Sequence, residues 1–99
     1  MAESAVGTGT TVGDDPTRPL TVRLFAAAKA AAGTGEVHVP VTPEATVDDL
    51  LGTLTEQFGA VLSGVVAHSS FLLDGVGVER EALIGTAAGL DILPPFAGG

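Results

Sequence analysis

The chain has 99 residues, which is one domain's worth, and its net charge of −8 repels nucleic acid and anionic membranes and favours a basic partner. It contains no cysteine, which excludes a disulfide framework, a thiolate metal site and a catalytic thiol. Apolar residues make up 45% and charged residues only 16%, so we expect a partner to cover part of the surface. No apolar stretch of about 20 residues is present, and the N-terminus lacks a secretion-signal pattern, so we expect a soluble, cytoplasmic protein.

The N-terminal segment differs in composition from the rest. Residues 1–19 are rich in Gly, Thr and Ser and have no apolar periodicity, which predicts a disordered leader. From Leu20, apolar and other residues alternate, which predicts a half-buried strand. The alanine-rich stretch Ala26–Ala32, followed by Gly33, predicts a short helix.

A second strand is predicted from alternating valines at 37, 39 and 41. Pro40 interrupts them and cannot donate a backbone hydrogen bond, so this strand belongs at a sheet edge.

The strongest helical pattern follows. Thr46 is a good N-cap, Asp48 and Asp49 favour the first turn, and Gly59 ends the helix. One face is apolar at helical spacing and is the expected centre of the core: Val47, Leu50, Leu51, Leu54 and Phe58.

The second half of the chain predicts three short strands. Residues 60–68 are predicted to form a helical or irregular segment that is broken at Gly64. The apolar run 70–73, the turn pair at 74–75 and the strand 76–78 predict a hairpin. We expect Leu83 and Ile84 to enter the core, and residues 90–93 to form the last strand.

The order of these elements predicts an α+β roll over residues 20–93, in which a mixed four- to five-stranded sheet packs on one main helix. Apolar residues fall on both faces of that sheet, but the main helix covers only one. The other face is either a partner surface or is covered by the alanine helix and the 60–68 segment.

Residues 94–99 form a predicted extended tail. Pro94 and Pro95 hold the backbone extended, so the tail reaches about 20 Å. Gly98 and Gly99 have no Cβ and can pass through a narrow channel, and the terminal carboxylate is ionised at neutral pH and can attack an activated phosphate. The alternative is a frayed terminus without a role.

Other polar residues have simpler structural explanations. His38 and His68 have no nearby ligands at metal spacing, so no metal site is expected, and His38 reads as the outward residue of its strand. The acidic pairs lie in the leader, at the start of a helix and in a loop. No serine lies in the glycine-flanked turn that presents the nucleophile of serine hydrolases. We therefore expect no active site within this chain itself.

Four segments together resemble the MoaD/ThiS family of ubiquitin-like sulfur carriers, closest to its molybdopterin synthase small-subunit branch. They are Val22-Arg23-Leu24-Phe25-Ala26, Ala45-Thr46-Val47-Asp48-Asp49-Leu50-Leu51, Leu72-Leu73-Asp74-Gly75 and the run from Asp91 through Leu93-Pro94-Pro95 to Gly99. The resemblance implies a ubiquitin-like β-grasp fold. Phe96, where the family often has a smaller aliphatic residue, the sparse charge of the alanine helix and the long leader depart from the family pattern.

The resemblance also implies a chemistry centred on Gly99. A ubiquitin-activating-like adenylyltransferase would use ATP to adenylate its carboxylate, and a sulfur donor protein would convert it to a thiocarboxylate. The tail would then enter the large subunit of molybdopterin synthase, where the sulfur passes to the molybdopterin precursor. No cofactor would be bound by this chain. The tail residues inserted into the partner would be Pro94, Pro95, Phe96, Ala97 and Gly98, and the docking face would be formed by Phe71, Leu73 and Leu93.

Two alternatives stay open. The same carrier chemistry could serve another acceptor, in thiamine thiazole or cysteine synthesis or in protein conjugation. The chain could also be a ubiquitin-like binding module with an inert Gly-Gly ending.

Overall fold

The computed structural model describes residues 17–95, so the predicted leader up to residue 16 and the tail residues Phe96, Ala97, Gly98 and Gly99 lie outside it. The described part forms five strands and three helices. In chain order they are β1 (Arg18–Leu24), α1 (Ala26–Ala32), β2 (Glu36–Val41), α2 (Val47–Phe58), α3 (Ala60–Val66), β3 (Ser70–Leu73), β4 (Val76–Val78) and β5 (Gly89–Leu93).

All five strands belong to one mixed sheet, in the order β2-β1-β5-β3-β4. The first strand, β1, runs antiparallel to β2 and parallel to β5, while β3 runs antiparallel to both β5 and β4. The predicted α+β roll with a mixed sheet is confirmed, with five strands.

The inward residues of β1 anchor the sheet to the helices. Leu20 and Val22 are fully buried and Leu24 is almost so, as the alternation predicts. The strand begins at Arg18, two residues before the predicted start, because Arg18 pairs with Val41 and its guanidinium donates to the carbonyl oxygen of Gly85 at 2.7 Å.

The edge position of β2 is confirmed, and two prolines explain it. Pro40 lies directly opposite Pro19 in the antiparallel ladder. Since neither proline has an N–H, the two form a pair that exchanges no hydrogen bonds, and the backbone of Pro40 faces the free edge. A strand that would pair there finds no donor at this position.

The main helix starts with the expected cap. The hydroxyl oxygen of Thr46 accepts from the backbone N–H of Asp49 at 3.1 Å, and the Asp49 carboxylate accepts from the N–H of Thr46 at 3.0 Å. Val47, Leu50, Leu51 and Leu54 are buried against the sheet, and Phe58 is partly buried at the end of the helix.

The predicted break at Gly64 is wrong. The segment forms a continuous helix, α3, because Leu62 and Val66 lie one turn apart and both enter the core, while Gly64 stays on the exposed side. Buried residues of all three helices form one cluster with a single face of the sheet, so the helices leave the other face open. None of the helices formed by residues 17–95 has the length and hydropathy that crossing a membrane requires.

The loop between β4 and β5 buries only one of its two large apolar residues. Ile84 is buried as predicted, but Leu83 is 61% exposed, so that prediction is wrong. The segment is extended and bridges to Thr46 through Leu83, and adjacent side chains of an extended backbone point in opposite directions. Its backbone is tied to the start of α2, where the N–H of Val47 donates to the carbonyl oxygen of Ala82 at 2.9 Å.

Candidate functional site

The base of the predicted tail is held in the interior of the sheet. Strand β5 lies between β1 and β3, and its inward residues Leu90 and Ile92 are fully buried. The chain leaves the sheet after Leu93, where Pro94 is half-buried and Pro95 is exposed. The start of the tail is therefore fixed relative to the core, and the two prolines extend the backbone away from it.

The three residues predicted to form the docking face do not share a face. Phe71 pairs with Ile92 and Leu73 pairs with Leu90, so both project toward the helices. Phe71 is 5% exposed and belongs to the core, and Leu73 packs against it. Leu93 lies on the opposite face. The prediction that these three residues form one face is therefore wrong, because the unbroken apolar run 70–73 does not reveal which of its residues point inward.

A different apolar group surrounds the point where the tail leaves. Leu72 pairs with Asp91 and so lies on the open face, diagonal to Leu93. Phe25 continues the extended backbone of β1, donates its N–H to the carbonyl oxygen of Ile92 at 3.3 Å, and is 41% exposed. We call Phe25, Leu72 and Leu93 the tail-exit patch. Leu20, Val22 and Leu24 point inward, so alternation along the strand places Phe25 on the open face. This member of the tail-exit patch could therefore be predicted from the sequence.

An ion pair forms the polar centre of the open face. Arg23 and Asp91 are partners in the parallel ladder of β1 and β5. The Arg23 Nε donates to Asp91 Oδ1 at 2.7 Å and its Nη2 donates to Oδ2 at 3.1 Å. This bidentate contact joins β1, which leads into α1, to β5, which leads into the tail. Sequence reasoning missed it, because only the register brings the two residues together.

Three further polar candidates have structural partners. Asp48 accepts hydrogen bonds from the guanidinium of Arg80 at 2.8 Å, and Asp49 caps its helix. His38 is exposed on the outer side of β2, as predicted, with its Nε2 3.5 Å from a carboxylate oxygen of Glu36. These contacts give both members of the acidic pair at the start of α2 a structural role.

The family of the chain follows from a match that begins within β1 and continues through the tail. Residues 22–99 match the ThiS family. This chain belongs to the ThiS family. The match includes Gly98 and Gly99, so the tail is part of what the chain shares with the ThiS family. The comparison with curated proteins finds no match.

Solved structures confirm the β-grasp fold of this ThiS-family chain. Small archaeal modifier protein 1 of Haloferax volcanii superposes with a TM-score of 0.72 at 28% identity, covering 83% of this chain and 100% of that one. The protein of the same name from Methanosarcina acetivorans gives 0.68 at 26% identity, covering 84% and 98%. A putative molybdopterin converting factor subunit 1 from Pyrococcus furiosus gives 0.68 at 19% identity, covering 79% and 98%, and this likeness concerns the fold alone.

Proposed function

We propose that this chain is the sulfur-carrying small subunit of a molybdopterin synthase, and that the carboxylate of Gly99 is its reacting group. The observation that carries the proposal is the position of β5, which is held on both sides in the sheet and ends directly in Leu93-Pro94-Pro95. Such a strand presents the tail from a fixed base. The family match through Gly99 and the Leu-Pro-Pro approach to the Gly-Gly pair support the same assignment.

The chemistry needs only an acyl group from this chain. A carboxylate oxygen of Gly99 attacks the α-phosphorus of ATP on an adenylyltransferase, forming a C–O–P linkage and releasing pyrophosphate. Sulfur at the sulfide level then attacks the carbonyl carbon. The C–S bond forms, the C–O bond to AMP breaks, and a thiocarboxylate remains. No oxidant is required, and the nucleotide is held by the partner.

The tail-exit patch is the proposed docking surface for the adenylyltransferase and for the synthase large subunit. It lies beside the exit of the tail, so a partner that covers Phe25, Leu72 and Leu93 receives residues 94–97 in the same groove. Gly98 gives the clearance that a narrow channel requires. The net charge of −8 favours a basic rim on the partner.

A second candidate function is protein modification. It is favoured by the likeness to the small archaeal modifier proteins of Haloferax volcanii and Methanosarcina acetivorans, at 28% and 26% identity. The activated intermediate is the same adenylate, but the nucleophile is a lysine amine of a target protein, and the product is an isopeptide.

The test starts with the full chain, ATP, sodium sulfide and a ubiquitin-activating-like adenylyltransferase. Intact mass spectrometry is expected to show one oxygen replaced by one sulfur at the C-terminus. Adding the synthase large subunit and the pterin precursor should return the oxygen form and yield the dithiolene product. A chain lacking Gly99 is the control. A thiocarboxylate that reacts only with a thiazole or cysteine precursor would overturn the molybdopterin assignment, and protein isopeptides without sulfur transfer would favour the modifier.

A further inference from the structure

The sheet formed by residues 17–95 has free edges at β2 and at β4, and the edge at β2 is blocked. Thr34 lies just before β2, and its hydroxyl donates to the carbonyl oxygen of Glu36 at 3.2 Å and accepts from the N–H of Glu36 at 3.4 Å. Pro40, whose backbone faces the same edge, has no N–H. Among the outward-facing residues of β2, His38 alone keeps an N–H for a further strand.

The edge at β4 is open at Gly77. Residues 74–75 of the hairpin turn both have positive φ, 49° and 82°, as in the type I′ turn that makes Leu73 and Val76 a hydrogen-bonded pair. Hydrogen-bonded and non-bonded pairs alternate along an antiparallel ladder. The next pair, Leu72 with Gly77, therefore exchanges no hydrogen bonds, and the N–H and C=O of Gly77 point away from β3.

The hydrogen bonds on the other side of β3 agree with this alternation. The N–H of Asp74 donates to the carbonyl oxygen of Gly89 at 2.9 Å, so two residues earlier the backbone of Leu72 also faces β5, where it pairs with Asp91. This leaves the backbone groups of Gly77 without a partner among residues 17–95. One donor and one acceptor thus face the free edge at the centre of β4.

The side chains around Gly77 define what a further strand would carry. On the helical side, Val76 is 63% exposed and Val78 is half-buried against the core. On the open face Gly77 has no side chain, and a Cβ built there would lie 4.0 Å from Leu72 Cδ2. A strand paired at Gly77 places one side chain beside this bare position, toward Leu72, and its two neighbours beside the valines. Three consecutive apolar residues fit this arrangement.

Acidic residues lie at both ends of the edge. Glu79 follows β4 directly and Asp74 lies in the turn before it, and both are exposed. Within the part of the chain that the structure describes, neither forms an ion pair. A strand with a basic residue at each end is therefore attracted to this edge. A second copy of the chain, with its own charge of −8, would bring carboxylates against carboxylates.

We infer that the edge of β4 binds an extended segment of a partner protein in which three apolar residues are flanked by basic ones. The segment runs antiparallel to β4, so its central residue exchanges two hydrogen bonds with Gly77. The central side chain contacts Leu72, its neighbours cover the two valines, and the flanking basic residues lie near the two carboxylates. Because Leu72 also belongs to the tail-exit patch, one partner can occupy both surfaces.

The test uses the full chain and an acetylated, amidated peptide of sequence Lys-Val-Leu-Val-Lys, followed by nitrogen-15 NMR. Binding should shift the amide of Gly77 and slow its exchange with solvent, while the amide of His38 on the opposite edge stays unchanged. A peptide N-methylated at its central residue should bind about fivefold more weakly or worse, because it cannot donate to the carbonyl oxygen of Gly77. A peptide with glutamate in place of both lysines should lose affinity by a similar factor.

A pair of variants tests the same edge from the side of the chain. Val76→Lys should weaken binding about fivefold or more, because it places a positive charge beside the apolar residues of the peptide. Val61→Lys is the matched control, since Val61 is 71% exposed on α3, and it should bind like wild type.

Three results would overturn the inference. The first is a set of shifts confined to Phe25 and Leu93, and the second is an N-methylated peptide that binds with unchanged affinity. The third is the same shift of Gly77 when the chain is concentrated without peptide, which would assign the edge to a second copy.

Discussion

Arg23 and Asp91 face each other on the paired strands β1 and β5, joined by hydrogen bonds of 2.7 and 3.1 Å between guanidinium and carboxylate. The pair lies on the open face, next to the tail-exit patch. The open face therefore has two adjacent parts. The apolar patch offers contact area, and the ion pair fixes a polar pattern beside it.

Asp91→Asn should change the free energy of unfolding by less than about 1 kcal/mol. The Asp91 side chain is only 13% exposed, but the Arg23 side chain is 56% exposed, so solvent screens the attraction at the arginine, which remains hydrated when its partner is neutral. Urea unfolding at low and high salt measures this. A loss well beyond that value would mean that the pairing of β1 with β5 depends on the ion pair.

Leu72→Glu should weaken binding of the adenylyltransferase by about tenfold or more and leave the melting temperature close to wild type. The side chain lies on the open face, so the carboxylate stays hydrated in the free domain but is buried in the complex. Titration calorimetry gives the affinity. Val61→Glu is the matched control, because Val61 is 71% exposed on α3 and lies on the helical side.

Phe71→Ala should give the reverse result. Phe71 is 5% exposed, so its truncation opens a cavity and should cost about 3–5 kcal/mol of stability. Affinity of the folded fraction for the partner should hardly change. A variant that melts normally but fails to bind the partner would show that Phe71 belongs to the docking surface.

Removing Gly99, or adding one residue after it, should abolish sulfur transfer while the domain melts normally. The core formed by the described residues 17–95 lies within residues 20–92, so we expect it to form without the last residue. Intact mass after activation and a thermal melt are measured on the same samples. A fall in melting temperature that parallels the loss of transfer would make the tail a structural element instead.

Leu50→Asp should unfold the domain. Leu50 is 2% exposed in the middle of α2, and burying a carboxylate there costs about 5 kcal/mol or more, comparable to the whole stability of a small domain. Thr53→Asp on the exposed side of the same helix is the control and should melt cooperatively. Circular dichroism follows both.

Asp74→Ala should cost about 2–3 kcal/mol. The Asp74 carboxylate accepts from the N–H groups of Ala88 and Gly89 at 2.9 and 3.0 Å, and its φ of 49° lies in the left-handed region that alanine disfavours. Asp74→Gly removes the carboxylate but relieves the backbone, so it should cost less than alanine. If the two variants unfold at the same urea concentration, the backbone conformation contributes nothing.

Local signals in the sequence predicted much of the fold. Alternation placed β1 and β2, the Thr46 cap placed α2, and Asp74-Gly75 placed the hairpin, because each depends on neighbours in the chain. Two of the errors have a common origin in long-range pairing. The inward side of the run 70–73 depends on its register with β5, and Leu83 turns outward because its segment is extended beside Thr46.

The same distinction applies to the candidate site. The tail was predicted from its composition alone, and its residues 94–99 belong to the part that matches the ThiS family. The tail-exit patch and the Arg23–Asp91 pair join residues that are far apart in sequence, so only the ladder of β1, β5 and β3 brings them together.

The location of β5 between two neighbours has a mechanical consequence. A partner that draws the tail into a channel pulls along the axis of β5, perpendicular to the hydrogen bonds that hold it to β1 and β3. These bonds are then loaded in shear and share the force, instead of opening one after another like a zipper. Under the proposed function, the domain would serve as a rigid stop, and the contact between the sheet and the channel rim would set the depth to which Gly99 enters the partner.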